Sequence, residues 1–277
     1  MSARRLLLAF AMILLGGWSV PPSIAAEESR VQARLVAGTS ALEPGSTFWL
    51  GVHFEIEDGW HIYWRNPGGA GLATDVRFEL PDDFVAGPLQ WPLPIAFIQS
   101  EGIPGYGYEG SVVLAADVTI SPDAAISDLQ EVRAEVSWLA CKCVCVLGSA
   151  DLESSLAEID EDPTFQTWAD RLPVASETGR PPFSLSVTGG LSEGSITHWL
   201  RWSGKPGAVE WFPNPSEALE VGDVQIQTRG GLTKIDAEIQ SRKGATGSTA
   251  ELPSLCVVTG ENGDRQGWEL TAKLTND

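Results

Sequence analysis

The sequence predicts an all-β protein: two tandem β-sandwiches joined by a short helical linker. Three observations carry this. Apolar residues recur at every second position over several short runs, Gly/Pro clusters separate those runs, and a single stretch between them reads as helical. Alternation of period two marks strands buried on one face. Many such strands between closely spaced turn signals build a sandwich.

Residues 1–26 come before any strand. Arg4 and Arg5 precede LLLAFAMILL (6–15), which is too short to span a bilayer, and SIAA (23–26) offers a small-residue exit. This is the pattern of a cleaved secretory signal, with cleavage after Ala25 or Ala26. No cysteine follows the apolar core, so a lipid anchor is not expected, and no later stretch has the ~18 apolar residues of a membrane span. The mature chain is therefore expected to be soluble and periplasmic, where paired cysteines form disulfides. Removing Arg4 and Arg5 takes the basic count from 18 to 16 against 37 acidic residues, so the formal charge goes from −19 to −21. Such acidity argues against nucleic acid or an anionic membrane surface as a partner.

The first sandwich is expected over 27–150. In TFWLGVHFEIE (47–57), Phe48, Leu50, Val52, Phe54 and Ile56 share a face, and His53, Glu55 and Glu57 take the other. In EVRAEVSWLA (131–140) the inward row is Val132, Ala134, Val136, Trp138 and Ala140. EPGS (43–46), NPGGAG (66–71) and GIPGYG (102–107) are the turns. Residues 149–172, SADLESSLAEIDEDPTFQTWADRL, read as helical: Asp162 caps, Pro163 takes the first position, and Phe165, Trp168 and Leu172 fall on one side. Pro173 and ETGRPP (177–182) close a linker over 151–182. The second sandwich, 183–277, has turns at SGKPG (203–207) and RGG (229–231) and ends on a strand with Trp268, Leu270, Ala272 and Leu274 inward.

The chemistry concentrates in WLACKCVCVLG (138–148), where Cys141, Cys143 and Cys145 occupy alternate positions; Cys256 stands alone. On one straight strand Cys141 and Cys145 would lie ~13 Å apart, beyond the roughly 4.4–6.8 Å between Cα atoms that a disulfide spans. If Lys142, Cys143 and Val144 form a three-residue hairpin loop, the outer two face each other at about 5.5 Å, with Cys143 at the tip. The residues leave three readings open: an inert staple, an exchanging redox pair, or a metal ligand set. Lys142 supplies positive charge that favours a thiolate. Three soft thiolates suit Cu(I), but Met1 and Met12 both lie in the signal, and His53, His61 and His198 show no ligand spacing. Four cysteines allow three pairings, and the sequence does not choose. Cys256 reads as a buried free thiol, with a bond to Cys143 as the alternative. His61 reads as a strand histidine hydrogen-bonded among aromatics, with a proton acceptor for thiol chemistry as the alternative. Tyr63, Tyr106 and Tyr108 are assigned to packing and loop pinning ahead of shielding the cysteines, and Trp60, Trp64, Trp91 and Trp138 to the core.

Five segments occur together in one order: GWHIYWRNPGGAGLAT (59–74), LQWPLP (89–94), GYGYEGSVVL (105–114), WLACKCVC (138–145) and WFPNP (211–215). In them the chain resembles the periplasmic N-terminal region of the DsbD/ScsB family of thiol:disulfide interchange proteins. The resemblance implies that the sandwiches are immunoglobulin-like and that Cys141 and Cys145 are a catalytic pair. Such a pair would act as a protein-disulfide reductase without cofactor, taking electrons from a membrane relay and passing them to periplasmic thioredoxin-like or disulfide isomerase clients. The chain departs from the family at Gly69, where an acidic residue is usual, at Val146, where proline is frequent, and in the extra Cys143. The 277 residues include no membrane relay or thioredoxin-like region, so a separately encoded membrane electron donor is expected. The competing classes are a non-catalytic binding module braced by a structural disulfide and a Cu(I)-binding copper-tolerance protein.

Overall fold

The computed structural model describes residues 30–275 apart from 40–41, 100–101, 127–129, 157, 175–178, 215, 217 and 243–248; the expected signal lies outside the described residues. In chain order the first strands are β1 (Val31–Ala37), β2 (Thr47–Ile56), β3 (Ile62–Gly68), β4 (Asp75–Glu79), β5 (Phe84–Ala86) and β6 (Ile95–Ile98). They are followed by β7 (Pro104–Tyr108), β8 (Ser111–Ile120), β9 (Glu131–Cys141), β10 (Cys145–Ser155) and β11 (Asp160–Glu161). One short helix, α1 (Phe165–Trp168), runs into a 3-10 turn over Ala169–Arg171. Then come β12 (Phe183–Gly190), β13 (Ser195–Trp202), β14 (Ala208–Pro213), β15 (Leu219–Arg229), β16 (Leu232–Ser241), β17 (Thr249–Thr259) and β18 (Arg265–Thr275).

The first eleven strands form three sheets, ordered β11-β1-β2-β8-β5, β10-β9-β4 and β3-β7-β6. The alternating runs bury the faces they advertise: Phe48, Leu50, Val52, Phe54 and Ile56 from β2 meet Val132, Ala134, Val136 and Trp138 from β9 in one core. Full burial of each large side chain contributes about 1.5–3 kcal/mol. The remaining strands form β12-β13-β16-β15 and β14-β17-β18 around a second core that includes Ile196, Leu200, Ile235, Leu252 and Leu270. The architecture is all-β, two immunoglobulin-like sandwiches in tandem with a short helical connection. The cores touch through Phe212 of β14, whose ring centroid lies 5.1 Å from that of Tyr106 and 6.0 Å from that of Trp64.

The helical reading of 149–172 needs correction. Residues up to Ser155 continue β10, which pairs with β9 without interruption from Cys145↔Cys141 to Ser155↔Glu131. Val146, Ala150 and Leu152 are half-buried against the first core, so a continuous ladder and one apolar face outweigh a composition that also suits a helix. Among the described residues of this stretch only Phe165–Arg171 is helical, and α1 starts two residues later than the sequence suggested, with Asp162 Oδ1 accepting the Thr164 N–H at 2.8 Å just ahead of it. Phe165, Trp168 and Leu172 do share a side: they pack with Val36, Val113 and Ala115 on the outer face of the five-stranded sheet. The Trp168 indole N–H donates to the Val113 carbonyl at 2.9 Å.

Candidate functional site

β9 and β10 form a hairpin whose loop is Lys142, Cys143 and Val144, and Cys141 and Cys145 are the last paired residues before it. They are joined by a disulfide with Cα atoms 4.2 Å apart, closer than the spacing expected from the sequence. The reason lies on the other side of β9. Cys141 exchanges both backbone hydrogen bonds with His61, each 3.0 Å. A residue so paired to one neighbour faces its other neighbour at the narrow, non-hydrogen-bonded spacing of about 4.5 Å. Directly opposed side chains also share a face of the sheet. His61, Cys141 and Cys145 therefore form one row, with the disulfide at its outer end.

The two cysteines differ in exposure. Cys141 is 3% exposed, whereas Cys145 is exposed. Beside Cys145 the apolar side chains of Val144 and Leu147 stand 63% and 72% exposed. Lys142 Nζ donates to the Asp58 carbonyl at 2.9 Å, which ties the hairpin loop to the turn before β3.

The inner end of the row is walled by aromatics. The His61 ring lies 4.1 Å from Phe97 and 5.2 Å from Tyr63, centroid to centroid. Tyr63 donates its hydroxyl proton to Gln99 Oε1 at 2.7 Å, so its oxygen is left to accept from the His61 Nε2–H at 3.4 Å. Nδ1 is then the ring's accepting atom. Burial lowers the His61 pKa and raises that of Tyr63, so both are neutral near neutral pH. The expected histidine among aromatics is thus observed, and it is also the cross-strand neighbour of Cys141. Phe97 and Gln99 were not singled out from the sequence. Their signal is the alternation of IAFIQ (95–99), which places both on one face of β6 and its continuation.

The other candidates lie elsewhere. Tyr108 pins a loop by donating to the Pro92 carbonyl at 2.8 Å, and Tyr106 packs on Phe212. Trp60, Trp64 and Trp138 are buried in the first core and Trp91 is partly buried against it. Cys143 and Cys256 are free thiols, one exposed and one buried, and burial pushes the Cys256 thiol up to about 12. His53 lies on β2 against Asp162, and His198 is buried in the second sandwich. Among the described residues no group of three or more His, Cys, Asp or Glu could hold a metal ion. With Cys141 and Cys145 joined, the hairpin presents a single free thiol. At Gly69 a Cβ would sit 2.7 Å from Ile103 Cγ2, so a side chain there would require Ile103 to shift.

Residues 32–157, which hold this hairpin and its aromatic wall, match the family described as thiol:disulfide interchange protein DsbD, N-terminal. This span belongs to the DsbD N-terminal family. It is a thiol:disulfide interchange domain, and its disulfide is Cys141–Cys145. The N-terminal periplasmic domain of ScsB from Proteus mirabilis shares the fold, with a TM-score of 0.67 and 20% identity over 91% of this chain and 96% of that one. The Enterococcus faecalis MSCRAMM ACE, which binds its ligands by the collagen hug model, gives a TM-score of only 0.24 at 12% identity, over 90% of this chain and 96% of that one. No curated protein matches the chain. Among the described residues no helix is long and apolar enough to cross a membrane.

Proposed function

We propose that this protein is a periplasmic protein-disulfide reductase in which Cys141 and Cys145 are the catalytic pair. The observation that carries the reading is an exposed Cys145 bonded to a buried Cys141 at the last rung of a hairpin. A donor thiolate attacks Cys145, the accessible sulfur, and Cys141 leaves as the buried thiolate. The donor's second thiol then resolves the mixed disulfide and leaves a dithiol. In the forward transfer Cys145 attacks a client disulfide, and Cys141 resolves that intermediate and restores the bond. Electrons enter from a membrane donor and leave to thioredoxin-like or disulfide isomerase clients. The chain reaches the compartment through a cleaved signal over 1–26. We assign the redox chemistry to the first sandwich, which β10 and β11 carry past residue 150 to Glu161, with 162–182 as connection and the strands from β12 onward as the second sandwich.

A redox titration in glutathione buffers tests this. A purely structural brace lies below about −300 mV, and an exchanging pair lies above it. In a Cys143→Ser background, Cys141→Ser is expected to accumulate a mixed disulfide on Cys145 with a thiol partner, while Cys145→Ser accumulates far less. Equal trapping by both variants, or a potential below that limit, would overturn the reading.

A further inference from the structure

The proposed exchange uses two sulfurs, yet a third sits between them in the chain. Cys143 is a free, exposed thiol in the loop that the Cys141–Cys145 bond closes. Two virtual Cα–Cα bonds of about 3.8 Å place its Cα at most ~7.6 Å from that of either partner. That range overlaps the roughly 4.4–6.8 Å window for a disulfide. Cys141 is held on both sides, by the hydrogen bonds to His61 and by the β10 ladder, whereas Cys145 is an exposed residue at the mouth of the loop.

We propose that Cys143 is an internal exchange thiol that moves the disulfide from Cys141–Cys145 to Cys143–Cys145. This deepens the exchange reading and rests on it. The Cys143 thiolate attacks Sγ of Cys145, and the Cys143–Cys145 bond forms as the Cys141–Cys145 bond breaks. Cys141 leaves as a thiolate and takes a proton from solvent, replacing the one Cys143 lost. No electrons are gained or lost. Attack falls on Cys145 because in-line approach needs an accessible sulfur, and Cys141 has almost no exposure. The shift carries the bond from a half-buried ladder rung to the open loop, where a partner thiol can reach both sulfurs. It also gives a client held on Cys145 a second resolving thiol.

The sequence provides a direct assay. Trypsin cuts after Arg133, Lys142 and Arg171, so Cys141 falls in the peptide 134–142, while Cys143 and Cys145 share 143–171. Oxidised full-length protein is held at pH 8 without any partner thiol, quenched in acid, denatured, and blocked with N-ethylmaleimide before digestion. The native bond links the two peptides, whereas the shifted bond releases 134–142 carrying the label on Cys141. Cys256, buried in the fold and labelled after denaturation, is the internal reference. Labelled Cys141 should exceed the Cys143→Ser background at least tenfold. Label on Cys143 alone, or on Cys145 in place of Cys141, overturns the proposal. Because no partner is present, a negative result with glutathione exchange intact removes the internal step alone. A bond inert to glutathione removes the exchange reading itself.

Discussion

The aromatic wall around His61, the cross-strand neighbour of Cys141, includes Tyr63, and the position of Tyr63 depends on a glycine. Gly71 has φ +120°, and a Cβ added there would sit 2.5 Å from Tyr63 Cε1. A side chain at this position would meet both an unfavourable backbone conformation and the ring itself. Gly71→Ala is therefore expected to lower stability by about 1–3 kcal/mol and to push Tyr63 off Gln99 and His61. If the aromatic wall governs access to Cys141, glutathione will reduce the bond severalfold faster in this variant, measured under conditions where it remains folded. A destabilised variant with an unchanged reduction rate would show that access is set at Cys145 alone.

At the scale of elements, the hairpin and the helical connection show what was legible beforehand. The inward rows of β2 and β9 could be read directly, because each has a fully buried face and a solvated one. The hairpin loop over Lys142–Val144 also followed, since the β9 alternation ends at the first cysteine. The narrow Cys141–Cys145 spacing did not follow, because it depends on the backbone of His61, eighty residues away in sequence. Residues 149–155, the second half of β10, suit a helix in composition because their inward residues are only half-buried and their polar residues fit either state. Asp162 was legible as a capping residue but not as an anchor. Its carboxylate accepts from Arg34 at 2.6 Å and pairs with His53 Nδ1 at 2.8 Å, which fastens the connection to β1 and β2. Burial pushes the Asp162 pKa up, but hydrogen bonds from Thr164, His53 and Arg34 outweigh it and hold the carboxyl well below the usual range. A depressed carboxyl stabilises the fold above its unfolded pKa of about 3.9 and loses that contribution as pH falls below it. Asp162→Ala is expected to cost about 1–3 kcal/mol at pH 7, because it leaves Arg34, His53 and the Thr164 N–H without their shared acceptor. Denaturant titrations at pH 7 and pH 3 should show the gap to wild type narrowing at the lower pH, and a constant gap would assign the loss to packing.

For the molecule as a whole, the two cores are joined by more than a linker. Phe212 inserts from the second sandwich into the first core, Arg65 pairs with Glu269 at 2.9 Å, and Arg265 donates to the Pro94 carbonyl at 2.8 Å. Acid acts on this assembly in two opposing ways. Protonating carboxylates relieves the self-repulsion of a chain with formal charge −19, which favours the compact state. Against that stands His198, which lies in the second sandwich with neither ring nitrogen hydrogen-bonded to a described residue and its ring 5.3 Å from Trp211. Burial lowers its pKa to about 4, against about 6.5 in the unfolded chain. The unfolded state then binds one more proton between these values, so stability falls as pH drops from about 6.5 to 4, with a limiting slope of about 1.4 kcal/mol per pH unit. His198→Leu removes this single contribution and leaves the carboxylates untouched. The difference in unfolding free energy between the two proteins should therefore change by up to about 3 kcal/mol in favour of the variant across that window, and level off below pH 4. A difference that stays flat from pH 7 to pH 4 would mean that the imidazole is protonated or hydrogen-bonded inside the second core.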